Sequence, residues 1–279
     1  MKLVRLPGPA LFLIISFISL NAQIRVDFEK DSTGIPYDTG TWLSNGFTDV
    51  LWTQGTERTS VSDDYSHSGR KSLRVYYPEV KVGPQETGHQ APCELEPRQE
   101  YFISYWLRFS DDFSWGSSNE GGKLPGLACG KRCSGGEICD GTNGFTARFM
   151  WRTNGRAVLY LYHMNKPGTY GQDFALVRTG NDTVYFSCGR WMNLIERVKI
   201  NTGSNRDGEV QVWVDGQEVL FTDSLQFVSD GELVDAFYFS TFHGGNDTTW
   251  SPQNDSYIWF DDIVISTDRN GVISSQNLE

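Results

Sequence analysis

Residues 144–164, GFTARFMWRTNGRAVLYLYHM, alternate apolar and polar positions on both sides of Asn154-Gly155. That dipeptide between two alternating runs is the strongest short-range signal for a β-hairpin. Two registers compete. A two-residue loop sets Arg148 opposite Leu161 and Phe149 opposite Tyr160, mixing both faces. A three-residue loop, Thr153-Asn154-Gly155 with Gly155 left-handed in a bulge, shifts the pairing by one residue and sorts them. Phe149 then faces Leu159, Ala147 faces Leu161 and Trp151 faces Ala157 on an apolar side. The other side carries Thr146 opposite Tyr162 and Arg148 opposite Tyr160, with Met150 and Val158 beyond. A slip by one residue would turn the apolar set to water, so the second register is expected. Tyr, Thr and Arg are also ordinary residues of a solvated sheet face. A hydroxyl, a guanidinium and two phenols within a few residues of one another nevertheless read as a candidate site.

Shorter alternating runs recur along the rest of the chain. Residues 23–28 read as a first strand and Ser72–Tyr77 as another. Glu100–Phe109 places Ile103, Tyr105, Leu107 and Phe109 on one face and Ser104, Trp106 and Arg108 on the other. Further strands are expected at 191–200, 210–214, 218–221, 236–242 and 257–265, with a turn at Asp215-Gly216. The last of these should lie beside the first strand. Residues 110–143 read as a loop far longer than usual, which in a compact domain points to function. No helical period, linker or internal repeat interrupts the pattern. The expectation is one all-β domain over 23–279, a sandwich or barrel of antiparallel strands.

Composition supports this reading: 29 glycines and 14 % aromatic residues suit short strands and tight turns. Residues 1–22 carry Lys2 and Arg5, an apolar run over 10–20 and a Leu20-Asn21-Ala22 cleavage pattern, and read as a signal peptide. That run is too short to span a bilayer and no other segment could, so a secreted chain with no membrane partner is expected. Sequons at Asn181, Asn246 and Asn254 are compatible with export. The five cysteines, Cys93, Cys129, Cys133, Cys139 and Cys188, suggest two disulfides and one free thiol in a secreted protein. Three of them fall in the 110–143 segment and read as staples for it. Their spacing does not match a zinc site.

A net charge of −11 argues against nucleic acid. It leaves open an anionic substrate, because binding depends on local charge. Lys123, Lys131, Arg132, Arg148 and Arg152 gather in the long loop and the hairpin. Among the histidines, His163 falls on the apolar hairpin face opposite Phe145 and reads as packed. His243, in the FHGG segment, is a candidate sugar contact, as is Trp250 nearby. His67 and His89 lie in polar loops with nothing assembled around them. Asp27, Glu29 and Asp261, with Asp262, could hold a structural calcium ion if the first and last strands adjoin, since oxygen ligands suit that ion.

The segment NEGGKLPG at 119–126, followed by Phe145-Thr146-Ala147-Arg148 and Tyr160-Leu161-Tyr162, resembles polysaccharide lyase family 14, the alginate and glucuronate lyases. The likeness extends over most of the chain, from about residue 101 to the closing YIWFDDI, with the lysine loop and the hairpin as its specific parts. It implies a β-jelly roll of two antiparallel sheets with a substrate groove on the concave face. It also implies a catalytic set of Lys123, Arg148, Tyr160 and Tyr162, with Thr146 standing where the family more often has Ser. The implied activity is β-elimination in a β-1,4-linked polyuronate, mannuronate-rich alginate or glucuronan, by a monomer that needs no cofactor.

The residue types suit that chemistry. The base must take a weakly acidic proton from the carbon beside a carboxylate, and a guanidinium can neutralise that carboxylate bidentately. Lys123 can contribute charge or move a proton if burial lowers its pKa, and a tyrosine could act as base if nearby cations lower its own. Arg152 adds substrate-binding charge. Two rivals stand against the lyase. A carbohydrate-binding module or lectin on the same scaffold would show stacking aromatics. A glycoside hydrolase would need two flanking carboxylates, of which only Glu120 lies near Lys123 in sequence.

Overall fold

The computed structural model describes residues 23–116 and 121–273. The leader read at 1–22, and Glu120, lie outside the described residues. Strands form where every second side chain can enter a common core. In chain order they are β1 (Gln23–Val26), β2 (Thr59–Ser62), β3 (Ser72–Tyr77), β4 (His89–Arg98), β5 (Glu100–Phe109), β6 (Gly122–Cys129), β7 (Phe145–Trp151) and β8 (Ala157–Tyr162). They continue as β9 (Gln172–Ala175), β10 (Val177–Arg178), β11 (Asp182–Thr183), β12 (Trp191–Lys199), β13 (Gly208–Val214), β14 (Gln217–Leu225), β15 (Val234–His243) and β16 (Ser256–Ser266). Antiparallel pairing builds an eight-stranded sheet, β14-β13-β12-β5-β16-β3-β2 with β1 against β16, and a six-stranded sheet, β4-β15-β6-β7-β8-β9. The two sheets enclose one apolar core. Ile103, Tyr105, Leu107 and Phe109 enter it from β5, and Ala147, Phe149, Trp151, Leu159 and Leu161 from the hairpin.

The hairpin takes the three-residue register. Arg148 faces Tyr160, Thr146 faces Tyr162 and Trp151 faces Ala157. Arg152 and Arg156 close the loop, the Arg152 N–H donating to the Arg156 carbonyl at 2.8 Å. Gly155 is left-handed as expected, and so is Asn154, a residue that tolerates that region. The polar side is not solvated: every residue of β7 and β8 is buried. Other chain segments lie over both faces.

The 110–143 segment departs most from expectation, because it contains β6, an interior strand of the six-stranded sheet. Pro125 disguises it, since proline cannot donate to a ladder and usually marks an edge or a bulge. Here it marks a bulge. Gly126 faces Arg148 and Lys123 faces Met150, so three steps along β6 match two along β7. The extra residue inverts the in–out alternation. Counting back from Leu127, which is in the core, strict period two would send Lys123 inward and Leu124 outward. The bulge does the reverse: Leu124 is fully buried in the core and Lys123 joins the opposite face with Arg148 and Met150. β4 was hidden likewise by Pro92 and Pro97. It lies at the end of its sheet, where proline is tolerated.

The cysteine expectation is half met. Cys133 and Cys139 form a disulfide, while Cys93, Cys129 and Cys188 are free thiols. Cys93 on β4 and Cys129 on β6 flank β15 on opposite sides. Two strand spacings put them roughly 10 Å apart, beyond the reach of a disulfide.

The first and last strands do adjoin, with Val26 opposite Ile263. The calcium site expected at Asp27, Glu29 and Asp261 does not assemble there. Glu29 Oε1 accepts the backbone N–H of Arg70 and of Lys71 at 2.8 and 2.7 Å. Asp27 Oδ1 accepts the N–H of Glu29, and Asp261 Oδ2 the N–H of His67. Each of these carboxylates is turned to amide donors of its own neighbourhood, and among the described residues no group of three or more His, Cys, Asp or Glu side chains is placed to hold a metal ion.

Two histidines read as isolated are packed in the structure. His67 stacks on Trp106 at 3.6 Å and its Nδ1 lies 2.7 Å from Asp262 Oδ2. His89, fully buried on β4, accepts a hydrogen bond from Trp42 Nε1 at 3.1 Å. His163 is packed as expected, with Nε2 3.0 Å from Gln172 Oε1. No helix among the described residues is long and apolar enough to cross a membrane.

Gly126 sits where β6 passes tightest against β7. A Cβ there would overlap the carbonyl oxygen of Ala147 and crowd the Arg148 backbone. Gly126→Ala should therefore destabilise the protein by about 2–4 kcal/mol, as overpacked interiors do. Thermal or urea unfolding measures this, and a loss within about 0.5 kcal/mol of zero would show that the bulge has room to relax.

Candidate active site

The face of the six-stranded sheet turned away from the core floors a cavity of about 750 Å³. Five of its six strands supply outward positions: Lys123 from β6, Arg148 and Met150 from β7, Tyr160 and Tyr162 from β8, Tyr238 from β15 and Gln90 from β4. Trp52, Tyr170, Asn246 and Trp250 complete the walls from loops.

Lys123 is the centre of this arrangement. Its Nζ lies 4.0 Å from the centroid of the Tyr160 ring and 3.1 Å from Met150 Sδ. Neither partner offers a negative charge. Removal from water, then the positive fields of Arg148 and Arg152, hold its pKa well below the ordinary lysine value. Arg148, buried at 3 % exposure, lies over the Tyr238 ring at 5.2 Å and donates from Nη1 to Ser240 Oγ at 3.1 Å. Gln90 Oε1 accepts from both Ser240 Oγ (2.9 Å) and Tyr238 OH (3.0 Å), and Gln90 Nε2 donates to Gln54 Oε1 at 3.0 Å. This chain of bonds fixes the guanidinium from behind.

The two phenols are positioned by loop backbone. Gly171 N–H donates to Tyr160 OH and Gly136 N–H to Tyr162 OH, each at 3.0 Å. The rings meet edge to face with centroids 5.5 Å apart. Gly171 must be glycine, since a Cβ would press on both rings. Burial, then the neighbouring Tyr162, pushes the Tyr160 phenol above its ordinary pKa, opposite to the lowering that a tyrosine base would need. The adjacent cations do not outweigh desolvation.

Of the four expected substrate contacts, two line the cavity and two do not. Thr146 is fully buried and its Oγ1 donates to the Cys133 carbonyl at 3.0 Å, so it anchors the disulfide loop and does not line the cavity. His243 is also fully buried, packed among Phe113, Trp151 and Tyr77, with Nδ1 2.9 Å from the Trp250 carbonyl. Burial brings its pKa down to about 4, and it supports the wall from behind. Arg152 lines the cavity, but its guanidinium is held by both oxygens of Asp173, at 3.0 and 2.6 Å. Trp250 lines the cavity beside Met150, Tyr160 and Tyr162.

Sequence reading missed Gln90, Tyr238 and Ser240. The alternation in Ala236-Phe237-Tyr238-Phe239-Ser240 carried a usable signal, with Tyr238 and Ser240 opposite in phase to the core phenylalanines Phe237 and Phe239. Gln90 had none, its strand being masked by Pro92. The rim also holds exposed aromatics of the kind a carbohydrate binder would show: Trp52 is 42 % and Tyr170 66 % exposed. No aspartate or glutamate lines the cavity among the described residues.

Comparison with known proteins agrees with this geometry. No curated protein sequence matches the chain. Among solved structures, alginate lyase Aly36B superposes with a TM-score of 0.74 at 29 % identity, over 87 % of this chain and 96 % of that one. A double mutant of Aly36B in complex with alginate tetrasaccharide gives 0.73 at 28 %, over 88 % and 97 %. The marine PL-14 alginate lyase from Aplysia kurodai gives 0.70 at 25 %, over 88 % and 98 %. The model of the family Polysaccharide lyase 14 matches residues 65–263. The chain is a polysaccharide lyase with a β-jelly-roll fold and belongs to polysaccharide lyase family 14.

Proposed function

We propose that the protein is a secreted lyase that cleaves a β-1,4-linked polyuronate, mannuronate-rich alginate or glucuronan, by β-elimination. The observation that carries this reading is Lys123, set over Tyr160 beside Arg148 with its pKa lowered and, among the described residues, no carboxylate lining its cavity. The complex of Aly36B with an alginate tetrasaccharide supports the substrate class.

In the reaction, Arg148 faces the uronate carboxylate and offsets the charge that develops on it, an electrostatic contribution worth ~10²–10³ in rate where such groups have been removed. Lys123, as the free amine, takes the proton from the carbon bearing the carboxylate. The electron pair of that C–H bond forms the C4=C5 double bond, and the bond from C4 to the glycosidic oxygen breaks. Tyr160, whose raised pKa keeps it protonated, gives its proton to the leaving oxygen. Tyr162 packs edge-on against it and shares the position.

A lectin on the same scaffold is the second reading, favoured by the exposed Trp52 and Tyr170 on the rim. The lysine decides between them. A site made only to hold a polyanion gains from a fully charged amine, whereas this one is placed where its charge is disfavoured. A hydrolase would need paired carboxylates at the cavity.

Incubation with mannuronate-rich alginate, guluronate-rich alginate and glucuronan should produce an ultraviolet-absorbing 4,5-unsaturated uronate from at least one of them. Retention on a polyuronate gel without that absorbance would establish the lectin instead. Lys123→Met should lower kcat at least ~10²-fold, the usual scale of a lost acid–base group. The same substitution should raise stability at neutral pH. Between the folded and the unfolded pKa of Lys123 the unfolded chain binds the extra proton, so native stability rises with pH through that window and is lower below it. A neutral side chain removes this dependence, and differential scanning calorimetry should find a Tm at least ~2 °C higher. A variant less stable than the parent would contradict the burial argument.

The pH profile of kcat/KM should rise as Lys123 loses its proton and fall only above the ordinary tyrosine range. A profile that declines from acid to neutral pH would exclude an amine base. Reducing the Cys133–Cys139 bond frees the loop that holds Tyr162 through Gly136 and Thr146 through Cys133. Closing so short a loop contributes about 2 kcal/mol. Replacing both cysteines by serine should cost about that much stability and weaken turnover several-fold, and unchanged kinetics would detach the loop from the site.

A further inference from the structure

The bulge that turns Lys123 toward the cavity is itself held from the opposite sheet. Pro125 brings no N–H, and the extra residue puts the local backbone out of step with its neighbours. Two backbone groups of this segment are met by side chains that cross the core. The Pro125 carbonyl accepts from Tyr105 OH, on β5, at 3.0 Å. The Leu127 N–H donates to Glu196 Oε2, on β12, at 3.2 Å. Both side chains are fully buried. β5 and β12 are adjacent, with Glu196 opposite Ile103 and Leu194 opposite Tyr105, so the two groups sit side by side beneath the bulge.

Glu196 is otherwise hard to account for. It lies among apolar side chains between the sheets, and among the described residues it has no ion-pair partner and leaves Oε1 without a hydrogen bond. Burial raises its pKa well above the ordinary glutamate value. As a packing residue it is inferior to leucine, because a buried polar group costs stability unless it is bonded. The bond it makes is to the strand that carries Lys123.

We infer that Glu196 and Tyr105 are positioning residues for Lys123, clamping the β6 bulge at Leu127 and Pro125 so that the amine is held over Tyr160 beside Arg148. The inference rests on the proposed role of Lys123 as the base. Neither residue touches substrate. Their effect is to keep the amine in one place and in one electrostatic setting, with Arg148, Arg152 and Asp173 as the charged groups facing it among the described residues.

The test compares Glu196→Leu, Glu196→Gln, Tyr105→Phe and Lys123→Met on whichever polyuronate the parent cleaves, measuring kcat, KM and the pH profile. Glu196→Leu should fold, keep KM within about threefold, and lose at least tenfold in kcat, with the ascending limb of the profile displaced. Glu196→Gln, whose amide oxygen still accepts from Leu127, should recover kcat to within about threefold of the parent. Tyr105→Phe, which deletes a single hydroxyl, should lower kcat about three- to tenfold with the same displacement of the limb. It keeps the test decisive should Glu196→Leu fail to fold.

Parental kcat and an unmoved limb in Glu196→Leu or Tyr105→Phe would overturn the inference, as would a Glu196→Gln variant as impaired as Glu196→Leu. Lys123→Met separates the two readings. If it stays active, the proposed base is wrong; if it is inactive while the clamp variants are unimpaired, only the clamp is wrong.

Discussion

An amine kept from water and near other positive charge is disfavoured as the ammonium ion, and the arrangement around Lys123 imposes both conditions. Burial alone would lower the pKa of a core lysine, but a lysine inside the sandwich could reach no substrate. The protein places it instead on the outer face of an interior strand, under the walls of a cavity and within the field of two arginines. That placement is unfavourable for folding, so it must be imposed by structure that is stable for other reasons. The two-sheet core, with aromatic and aliphatic side chains from nearly every strand, is that structure.

The rest of the site is built for rigidity. The floor consists of strands, not loops, and its polar groups are fixed by second partners: Arg148 by Ser240 and Gln90, Tyr160 by Gly171, Tyr162 by Gly136. Preorganised groups of this kind need little rearrangement when charge develops on the substrate. The rim is built differently, with Trp52 and Tyr170 exposed to solvent at the cavity mouth. Arg152 shows the same economy of charge. Bound by both oxygens of Asp173, it raises the local potential without being a free ligand for substrate.

Much of this was legible in the chain. The register of the hairpin followed from one requirement, that Ala147, Phe149 and Trp151 share a face with Ala157, Leu159 and Leu161, and that requirement also put Arg148 beside Tyr160 and Thr146 beside Tyr162. What failed was the inference from being on the polar side to being in the cavity. Thr146 is on that side but is covered by the disulfide loop, and His243 lies behind the wall. Both are tertiary facts, decided by which loop packs over which strand. β6 and β4 went unseen because Pro125 and Pro92 break the pattern from which strands are read. In β6 the broken pattern is a bulge, and in β4 it marks an edge.

Sequence by itself determined the local alternations, hence most of the strands, the hairpin and the pairing of Arg148 with Tyr160 and of Thr146 with Tyr162, because side-chain period and turn chemistry act over a few residues. Tertiary structure decided the rest. It made Lys123 a strand residue facing the cavity, it set the sign of the Tyr160 shift, and it joined Cys133 to Cys139 while keeping Cys93 and Cys129 on opposite sides of β15. It also brought Gln90 to Ser240, the partner of Arg148, and Glu196 to Leu127, from strands distant in sequence. Burial, electrostatic potential and cross-sheet hydrogen bonds depend on distances between segments far apart in the chain, and a local pattern contains none of those distances.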